Sequence, residues 1–524
     1  MLADETAGRL TIDDQLITVT GAITVDNANL LGATTTGKVT ATIATSESVT
    51  ELATLNEDGG VNAFTIVISA SDATSSTAAQ LNTINDAVSS SVVINLTNVT
   101  ALAGSTLADL GTLATAIGNN EFTNATGLTT IAVTDTTVDA TTLATRIDSY
   151  DSINVGATTD MTLASGATIN VDAGEITHML ADETAGRLTI GDQKITVTGA
   201  ITVDNSNLLA ATTSGVITAS ITTTETVDEL QTLTGTGNAY TIVIANGDAT
   251  GSTATEFTSI NGKTTVAVDA SAVTGLASDN ISNIKTLLTA GNDTNQFTSD
   301  SFSSLATVVV SDTTLNGANL DSVIQRANTL TGDTSVVATI TAANEIYGTE
   351  ARFSTLLTHE GNNQISITGQ NLNVNSGTIS VANANLLAAT TSGTITGSIT
   401  TTEDVDTLKT LTGTHEYTIV IAAGDATSST ASELTAINGA TSLAVNASAI
   451  TALASDNISN INTLLTAGND TNQFTSTSFG SLTGVTVSDT TINGATLASA
   501  IDQANLATGD TSAVFTITSA TTIN

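Results

Sequence analysis

The stretch MLADETAGRLTIGDQ at Met179–Gln193 repeats, with one change, MLADETAGRLTIDDQ at Met1–Gln15. A second motif occurs three times, each copy 178 residues after the last: NANLLGATTTG from Asn27, NSNLLAATTSG from Asn205 and NANLLAATTSG from Asn383. Self-similarity at a fixed period is the sequence signature of a repeat protein.

The 178-residue period divides the chain into repeat 1 (1–178), repeat 2 (179–356) and a shorter repeat 3 (357–524). Met1 occupies the same repeat position as Met179. We therefore expect the chain to be a segment, or a processed product, of a longer array.

The composition indicates a thin aliphatic interior. The 524 residues include no Pro, Cys or Trp and only 2% aromatic residues, whereas 40% are hydrophobic. Globular cores normally use aromatic side chains to fill volume. A mean hydropathy of +0.23 argues against disorder, which combines high charge with low hydrophobicity.

A finer rhythm lies inside each repeat. Apolar strand-like runs such as 240–245 and 336–340 alternate with polar turns and some helical patterns. Val227, Leu230 and Leu233 fall three apart after Thr226, which heads a capping-box pattern. This rhythm predicts a mainly β fold, an elongated parallel β-solenoid with short helices in some coils. A string of separate β-sandwich modules is the rival prediction.

The charge limits the partners. Fifty Asp and Glu against ten Lys and Arg give a net charge of −40. This charge would repel nucleic acid and anionic membrane surfaces, so we expect neither nucleic-acid binding nor membrane insertion. A strong negative charge also attracts cations.

Six aspartates recur just after strands, in DAT and DTT motifs, and keep their charge in all three repeats. They are Asp72, Asp135, Asp248, Asp312, Asp425 and Asp489. Stacked carboxylates would suit Ca²⁺, so these residues are a candidate calcium ladder. The alternative is that each caps a turn or a helix. At a neighbouring position, Asn95, Asp269 and Asn446 are equivalent, so a charge there is dispensable.

Other candidates point away from catalysis. His178, His359 and His415 are not at equivalent positions, and we expect them on the surface. The pair Asp13 and Asp14 is not maintained in repeat 2. We therefore predict that the protein is not an enzyme. In the longest polar loop, Phe122, Phe297 and Phe474 are expected to plug the layer below.

The composition and the copies of NANLLAATTSG and SDTT resemble the large Thr/Ala/Asn/Asp-rich beta strand repeat surface proteins of bacteria, including cyanobacteria. The resemblance implies secretion, often by a type I system, and a place at the cell surface. We therefore predict an extracellular structural protein that self-associates into a filament or surface layer. The alternatives are the stalk of an adhesin that contacts cells or glycans, and a carbohydrate-active β-helix.

Overall fold

The computed structural model describes residues 1–56, 61–154, 158–518 and 522–524. The chain divides into two compact units. Unit 1 comprises Met1–Ala245 and Ser259–Val268, and unit 2 comprises Asn246–Thr258 and Asp269–Asn524. Among the described residues, no helix has the length and apolar character needed to cross a membrane.

The fold is mixed α/β. The structure is 36% helical and 24% strand, with 18 helices and many small parallel sheets in the described part of the chain. The prediction of a mainly β, elongated parallel β-solenoid is therefore wrong. The segments that separate paired strands are mostly helices, where turns and a few short helices were expected.

These helices form because their first residues are well capped. Thr24, Thr106 and Asp139 each accept a hydrogen bond from the backbone N–H three residues later. Such caps satisfy N–H groups that a helix leaves unpaired at its start. The helices are rich in Ala and Thr, so their faces differ little in polarity, and Thr also favours strands. The sequence pattern therefore concealed most of them.

The helices, in chain order, are α1 (Leu2–Thr6), α2 (Val25–Thr34), α3 (Val49–Leu52), α4 (Ala78–Asp86), α5 (Leu107–Gly118), α6 (Ala140–Ile153), α7 (Ile176–Thr184), α8 (Val203–Thr212), α9 (Val227–Gln231), α10 (Ala254–Asn261), α11 (Ile281–Ala290), α12 (Gly317–Thr331), α13 (Glu350–Gly361), α14 (Val381–Thr390), α15 (Val405–Leu408), α16 (Ala431–Gly439), α17 (Ile458–Gly468) and α18 (Gly494–Thr508). Short 3₁₀ helices lie at Ala70–Asp72, Ala125–Gly127, Asn246–Asp248 and Ala423–Asp425.

The strands are β1 (Ile17–Ile23), β2 (Val39–Ile43), β3 (Ala63–Thr65), β4 (Ile94–Asn95), β5 (Ala101–Ser105), β6 (Phe122–Thr123), β7 (Thr130–Val133), β8 (Thr137–Asp139), β9 (Asp160–Leu163), β10 (Thr168–Asp172), β11 (Leu188–Thr189), β12 (Lys194–Ile201), β13 (Ile217–Ile221), β14 (Ala239–Thr241), β15 (Gly275–Asp279), β16 (Thr307–Val310), β17 (Thr314–Asn316), β18 (Val337–Thr339), β19 (Glu345–Thr349), β20 (Asn371–Ser376), β21 (Ile395–Ser398), β22 (Glu416–Thr418), β23 (Ala452–Asp456), β24 (Gly484–Val487), β25 (Thr491–Ile492), β26 (Val514–Ile517) and β27 (Thr522–Ile523).

Each unit contains four parallel sheets among its described residues. In unit 1 the strand orders are β1-β2-β3, β14-β13-β12-β10-β8, β11-β9-β7-β5 and β4-β6. In unit 2 they are β15-β16-β18, β17-β19-β20-β21-β22, β23-β24-β26 and β25-β27. Parallel neighbours need a crossover connection, which is usually a helix. Helix and sheet content are therefore linked in this fold.

The few aromatic residues lie in the interior. Phe64, Tyr240 and Tyr417 occupy equivalent strands and are at most 2% exposed. Of the described Phe and Tyr side chains, all except Tyr347 and Phe515 are buried. Aliphatic residues fill the remaining core, as the composition predicts.

A glycine in the NANLL motif is required by a close backbone approach. A Cβ on Gly215 would lie 2.2 Å from the carbonyl oxygen of Gln193, and one on Gly393 would lie 2.3 Å from that of Gln370. Each of these distances is far below van der Waals contact. The recurrence of Gly at this position thus follows from packing between neighbouring chain segments.

Gly215→Ala is expected to lower the free energy of unfolding by about 1–3 kcal/mol, because the backbone of Gln193 must shift. Gly191→Ala is the matched control, since its new Cβ would have no neighbour within 4 Å. Urea unfolding of both variants measures the difference. Equal midpoints for the two variants would contradict this packing account.

Candidate functional site

Most of the recurring aspartates contact helix starts. Asp135, Asp312 and Asp489 follow strands, whereas Asp72, Asp248 and Asp425 end short 3₁₀ helices. In five of them, Oδ2 accepts a hydrogen bond from the first backbone N–H of a helix 20 to 31 residues earlier in the chain. The donor–acceptor pairs are Val49–Asp72 (2.9 Å), Leu107–Asp135 (2.8 Å), Ile281–Asp312 (2.7 Å), Val405–Asp425 (3.3 Å) and Ile458–Asp489 (2.6 Å).

These contacts join one strand–helix segment to the next. A helix start carries unpaired N–H groups and a partial positive charge, both of which a carboxylate stabilises. Each helix also has a cap of its own. The N–H of Asn283, for example, donates to Oδ1 of Asn280, which leaves the N–H of Ile281 to Asp312.

The calcium prediction gains no geometric support from these contacts. Ca²⁺ requires six to eight oxygen ligands. The described residues contain no group of three or more His, Asp or Glu side chains that could hold a metal ion. The described side chains near these aspartates do not supply such a set of oxygen ligands. Calcium binding stays a prediction.

The position that holds either Asn or Asp forms a turn within its own segment. The side-chain Oδ1 of Asn95, Asp269 and Asn446 accepts a hydrogen bond from the N–H two residues later, at 2.9, 2.9 and 3.0 Å. An amide or a carboxylate oxygen serves this turn equally well. This explains why Asn and Asp alternate there.

Further carboxylates at helix starts were missed from the sequence, Asp456 and Asp279 among them. Oδ2 of Asp456 accepts the N–H of Ser432 (2.7 Å), and its Oδ1 accepts the N–H of Asn457 and the side-chain amide of Asn460. Burial acts to raise the pKa of Asp456, but these hydrogen bonds outweigh it and hold the pKa below its usual range. Asp279 makes the equivalent contacts with Thr255 and Asn283.

The second asparagine of the NANLL motif bridges two neighbouring segments in every repeat. Asn207 donates from Nδ2 to the carbonyl of Thr232 (3.0 Å), and its Oδ1 accepts the N–H of Thr234 (2.7 Å). Asn29 and Asn385 make the same pair of contacts. The recurrence of this asparagine in all three repeats was the sequence feature that could have indicated its structural contact.

The expectation that all three histidines lie on the surface is wrong for His359. Its ring is buried between Oε1 of Gln364 (2.8 Å from Nδ1) and Oδ1 of Asp321 (3.0 Å from Nε2). Oδ2 of Asp321 also pairs with Arg352 at 3.0 Å. This cluster joins α12 to α13.

The corresponding place between α6 and α7 carries a different polar cluster. Arg187 pairs with the buried Asp182 and with Asp151 (3.1 Å) and Asp148 (3.6 Å). Burial raises the pKa of Asp182, and the positive charge of Arg187 opposes that effect. Both clusters fix one helix against the next.

The expected buried phenylalanines are confirmed. Phe122, Phe297 and Phe474 are at most 3% exposed. Phe297 and Phe474 each pack against a second ring, Phe302 and Phe479, with centroids 5.2 Å apart. These buried rings therefore anchor the polar loop to the core.

Among the surface features described is a groove of about 480 Å³ in unit 2, lined by both polar and apolar residues. Its walls include Thr339, Thr341, Glu360 and Ser366, and none of its lining residues is aromatic. Oε2 of Glu360 accepts the N–H of Ile367 at 2.7 Å, so this carboxylate already has a partner in the fold.

A second surface feature is apolar and repeats. Leu30, Leu208 and Leu386, each the first Leu of NANLL or NSNLL, are 50%, 54% and 55% exposed. Leu208 borders a shallow groove of about 420 Å³ with Leu180 and Ala181.

No protein-family model matches this sequence, and no curated protein shows a significant match to it. Function is therefore inferred from the residues themselves. The resemblance to bacterial beta strand repeat surface proteins stays a prediction.

Asp489→Ala is expected to lower the free energy of unfolding by about 1–3 kcal/mol, because the N–H of Ile458 loses its acceptor. Asp489→Asn keeps an acceptor oxygen and is expected to cost less. Urea unfolding with calcium and with a chelator measures both effects. If wild type alone is stabilised by calcium, and Asn costs as much as Ala, the aspartate acts through a bound ion instead.

Asp456 is expected to make stability depend on pH. Its folded pKa lies below the unfolded value of about 3.9, so its contribution is present above that value. It is lost as the pH falls through the folded pKa. The stability difference between wild type and Asp456→Asn, followed by urea unfolding from pH 7 to pH 3, should therefore shrink below about pH 4. A difference that is constant over this range would refute the assignment.

Proposed function

We propose that this protein is an extracellular structural repeat protein that self-associates to form, or coat, a filament or surface layer. One observation carries the proposal: polar residues that recur in all three repeats are bonded within the fold itself. The second asparagine of NANLL binds neighbouring backbone in each repeat, and recurring aspartates such as Asp312 bind helix starts. Repetition of a scaffold contact, with no repeated cleft chemistry, is typical of a structural role.

The surface supports self-association. Leu30, Leu208 and Leu386 expose an apolar side chain at the same repeat position. Scattered exposed leucines are ordinary, but a regular series offers identical contacts to neighbouring molecules. A charge of −40 keeps such a protein soluble and fits a salty exterior, where its self-repulsion is screened.

The alternatives have less support. The groove beside Glu360 has no aromatic lining residue on which a sugar ring could stack. The adhesin-stalk alternative needs a binding surface for cells or glycans, and no particular residue favours one. The adhesin stalk remains an outcome of the experiment below.

Negative-stain electron microscopy of the purified chain, with calcium and then with excess chelator, tests the proposal. Ordered filaments or sheets are expected, and their loss on chelation would support the calcium prediction. Dispersed particles under both conditions would count against a self-assembling protein. If such particles bound cells or glycans, the adhesin stalk would replace the proposal.

A triple variant with Ser at Leu30, Leu208 and Leu386 is expected to lose lateral association. Its matched control places Ser at Ala33, Ala211 and Ala389, three exposed positions on the same helices. Unchanged lateral order in the leucine variant would exclude these side chains from the contact.

A further inference from the structure

Two pairs of chain segments correspond in sequence position, one pair in each unit, and the residue numbers of the second pair are 177 higher. In unit 1 the N–H of Met161 donates to the carbonyl of Arg187 (2.9 Å). In unit 2 the N–H of Ala338 donates to the carbonyl of Gln364 (2.7 Å). Both pairs therefore begin with the same backbone contact.

In unit 1 the pairing continues beyond this contact. Leu188 and Thr189 form β11, in parallel register with Met161 and Thr162 of β9. The Thr189 hydroxyl also donates to the carboxylate of Asp160, whose two oxygens lie at 3.0 and 3.1 Å. Backbone and side-chain contacts therefore both fasten β11 to β9.

In unit 2 the pairing stops after the first contact. β18 is the last strand of its sheet among the described residues, and residues 365–367 form no strand. The groove of about 480 Å³ is lined by residues of both segments, including 337–341, Ile365 and Ser366. The two segments are thus splayed where their equivalents in unit 1 are paired.

The ends of the splayed segment are held as they are in unit 1. The carbonyl of Thr368 accepts the N–H of Ser392 (2.7 Å), as the carbonyl of Gly191 accepts that of Ser214 (2.8 Å). The shared first contact fixes the other end. The difference between the splayed and the paired arrangement is therefore confined to the short stretch 365–367.

A carboxylate holds the splayed segment. Oε2 of Glu360, near the end of α13, accepts the N–H of Ile367 at 2.7 Å. The equivalent residues of unit 1, Glu183 and Ile190, share no hydrogen bond within the described part of the chain. The contact is made in the splayed arrangement and not in the paired one, so it favours the splayed arrangement.

A second difference removes a contact of the paired arrangement. Val337 stands where β9 has Asp160, so β18 lacks the carboxylate that binds Thr189 in unit 1. Ser366, the equivalent of Thr189, shares a hydrogen bond with the Thr368 hydroxyl instead (2.6 Å). Both differences act in the same direction, away from pairing.

Apolar burial does not decide between the two arrangements. Ile365 and Ile367 are 4% and 0% exposed in the splayed segment, and Leu188 and Ile190 are 2% and 5% exposed in the paired one. Because hydrophobic stabilisation follows the apolar area removed from water, it is nearly equal for both. The balance therefore depends on a few polar contacts.

We propose that residues 365–367 are a strap with two positions. In the open position Glu360 holds Ile367, and the edge of β18 is free. In the closed position the strap pairs with β18 as β11 pairs with β9, so Ser366 lies opposite Thr339 and the groove is covered. This switch within unit 2 goes beyond the proposed self-association and does not rest on it.

A pair of cysteines reports the closed position, since the natural chain has no Cys. Thr339→Cys and Ser366→Cys in one chain, the reporter pair, face each other in the closed position at a separation that a disulfide can bridge. Thr162→Cys with Thr189→Cys is the reference pair, because these residues are already paired in unit 1. Under mild oxidation the reference disulfide is expected to form roughly tenfold faster or more, the ratio that one hydrogen bond to a charged group supports.

Two substitutions are expected to close the strap. Glu360→Ala removes the contact that only the open position makes, and Val337→Asp supplies the carboxylate that unit 1 has at Asp160. Each should raise the rate of the reporter disulfide by about tenfold. Glu183→Ala is the matched control and should leave the rate of the reference disulfide unchanged. Far-UV circular dichroism of each variant checks that the helix content is retained.

The rates decide the inference. A reporter disulfide that forms as fast as the reference in the otherwise natural chain would overturn the open position. A reporter rate that neither substitution raises would overturn the strap, and an equal effect of Glu183→Ala on the reference pair would overturn the role given to Glu360. If Glu360→Ala does not fold, Val337→Asp decides alone, because Val337 is exposed on β18.

Discussion

Parallel strand pairing is the constraint on which this structure depends. A parallel neighbour can be reached only by a long crossover, and here the crossovers are mostly helices. Every crossover helix begins with N–H groups that need acceptors. At several helix starts the acceptor is an aspartate from a later segment, such as Asp312 for Ile281. Parallel pairing therefore requires the crossover helices, and the repeated carboxylates stabilise the starts of those helices.

Most residues of the NANLL motif and the glycine that follows it also make contacts within the fold. Asn207 binds backbone of the following segment, Leu209 is buried, and Gly215 permits close approach to Gln193. Leu208 alone faces outward at this motif's centre. A sequence that must repeat a stable contact keeps these residues, whereas a catalytic group would need to occur only once. These repeated contacts support the proposed structural role.

Much of the organisation could be predicted from sequence. The 178-residue period, the capping box at Thr226 and the buried Phe297 follow from composition and spacing. The helix content could not be predicted, because Ala- and Thr-rich helices such as α8 have faces of similar polarity. The partners of the aspartates were equally hidden, since Asp489 and Ile458 are brought together only by strand pairing. His359 was misjudged because its partner Asp321 lies on another helix.

Amide hydrogen exchange at the first residues of α5, α11 and α17 tests the central claim most directly. These residues are Leu107, Ile281 and Ile458, whose N–H groups donate to Asp135, Asp312 and Asp489. First-turn amides normally exchange fast because they lack an intrahelical acceptor. Because the aspartates accept these N–H groups, we expect the three amides to be protected from exchange as strongly as amides of the helix interior. This protection should be the same with calcium and with a chelator. Exchange at the rate of an open amide, or protection that appears only with calcium, would contradict the account.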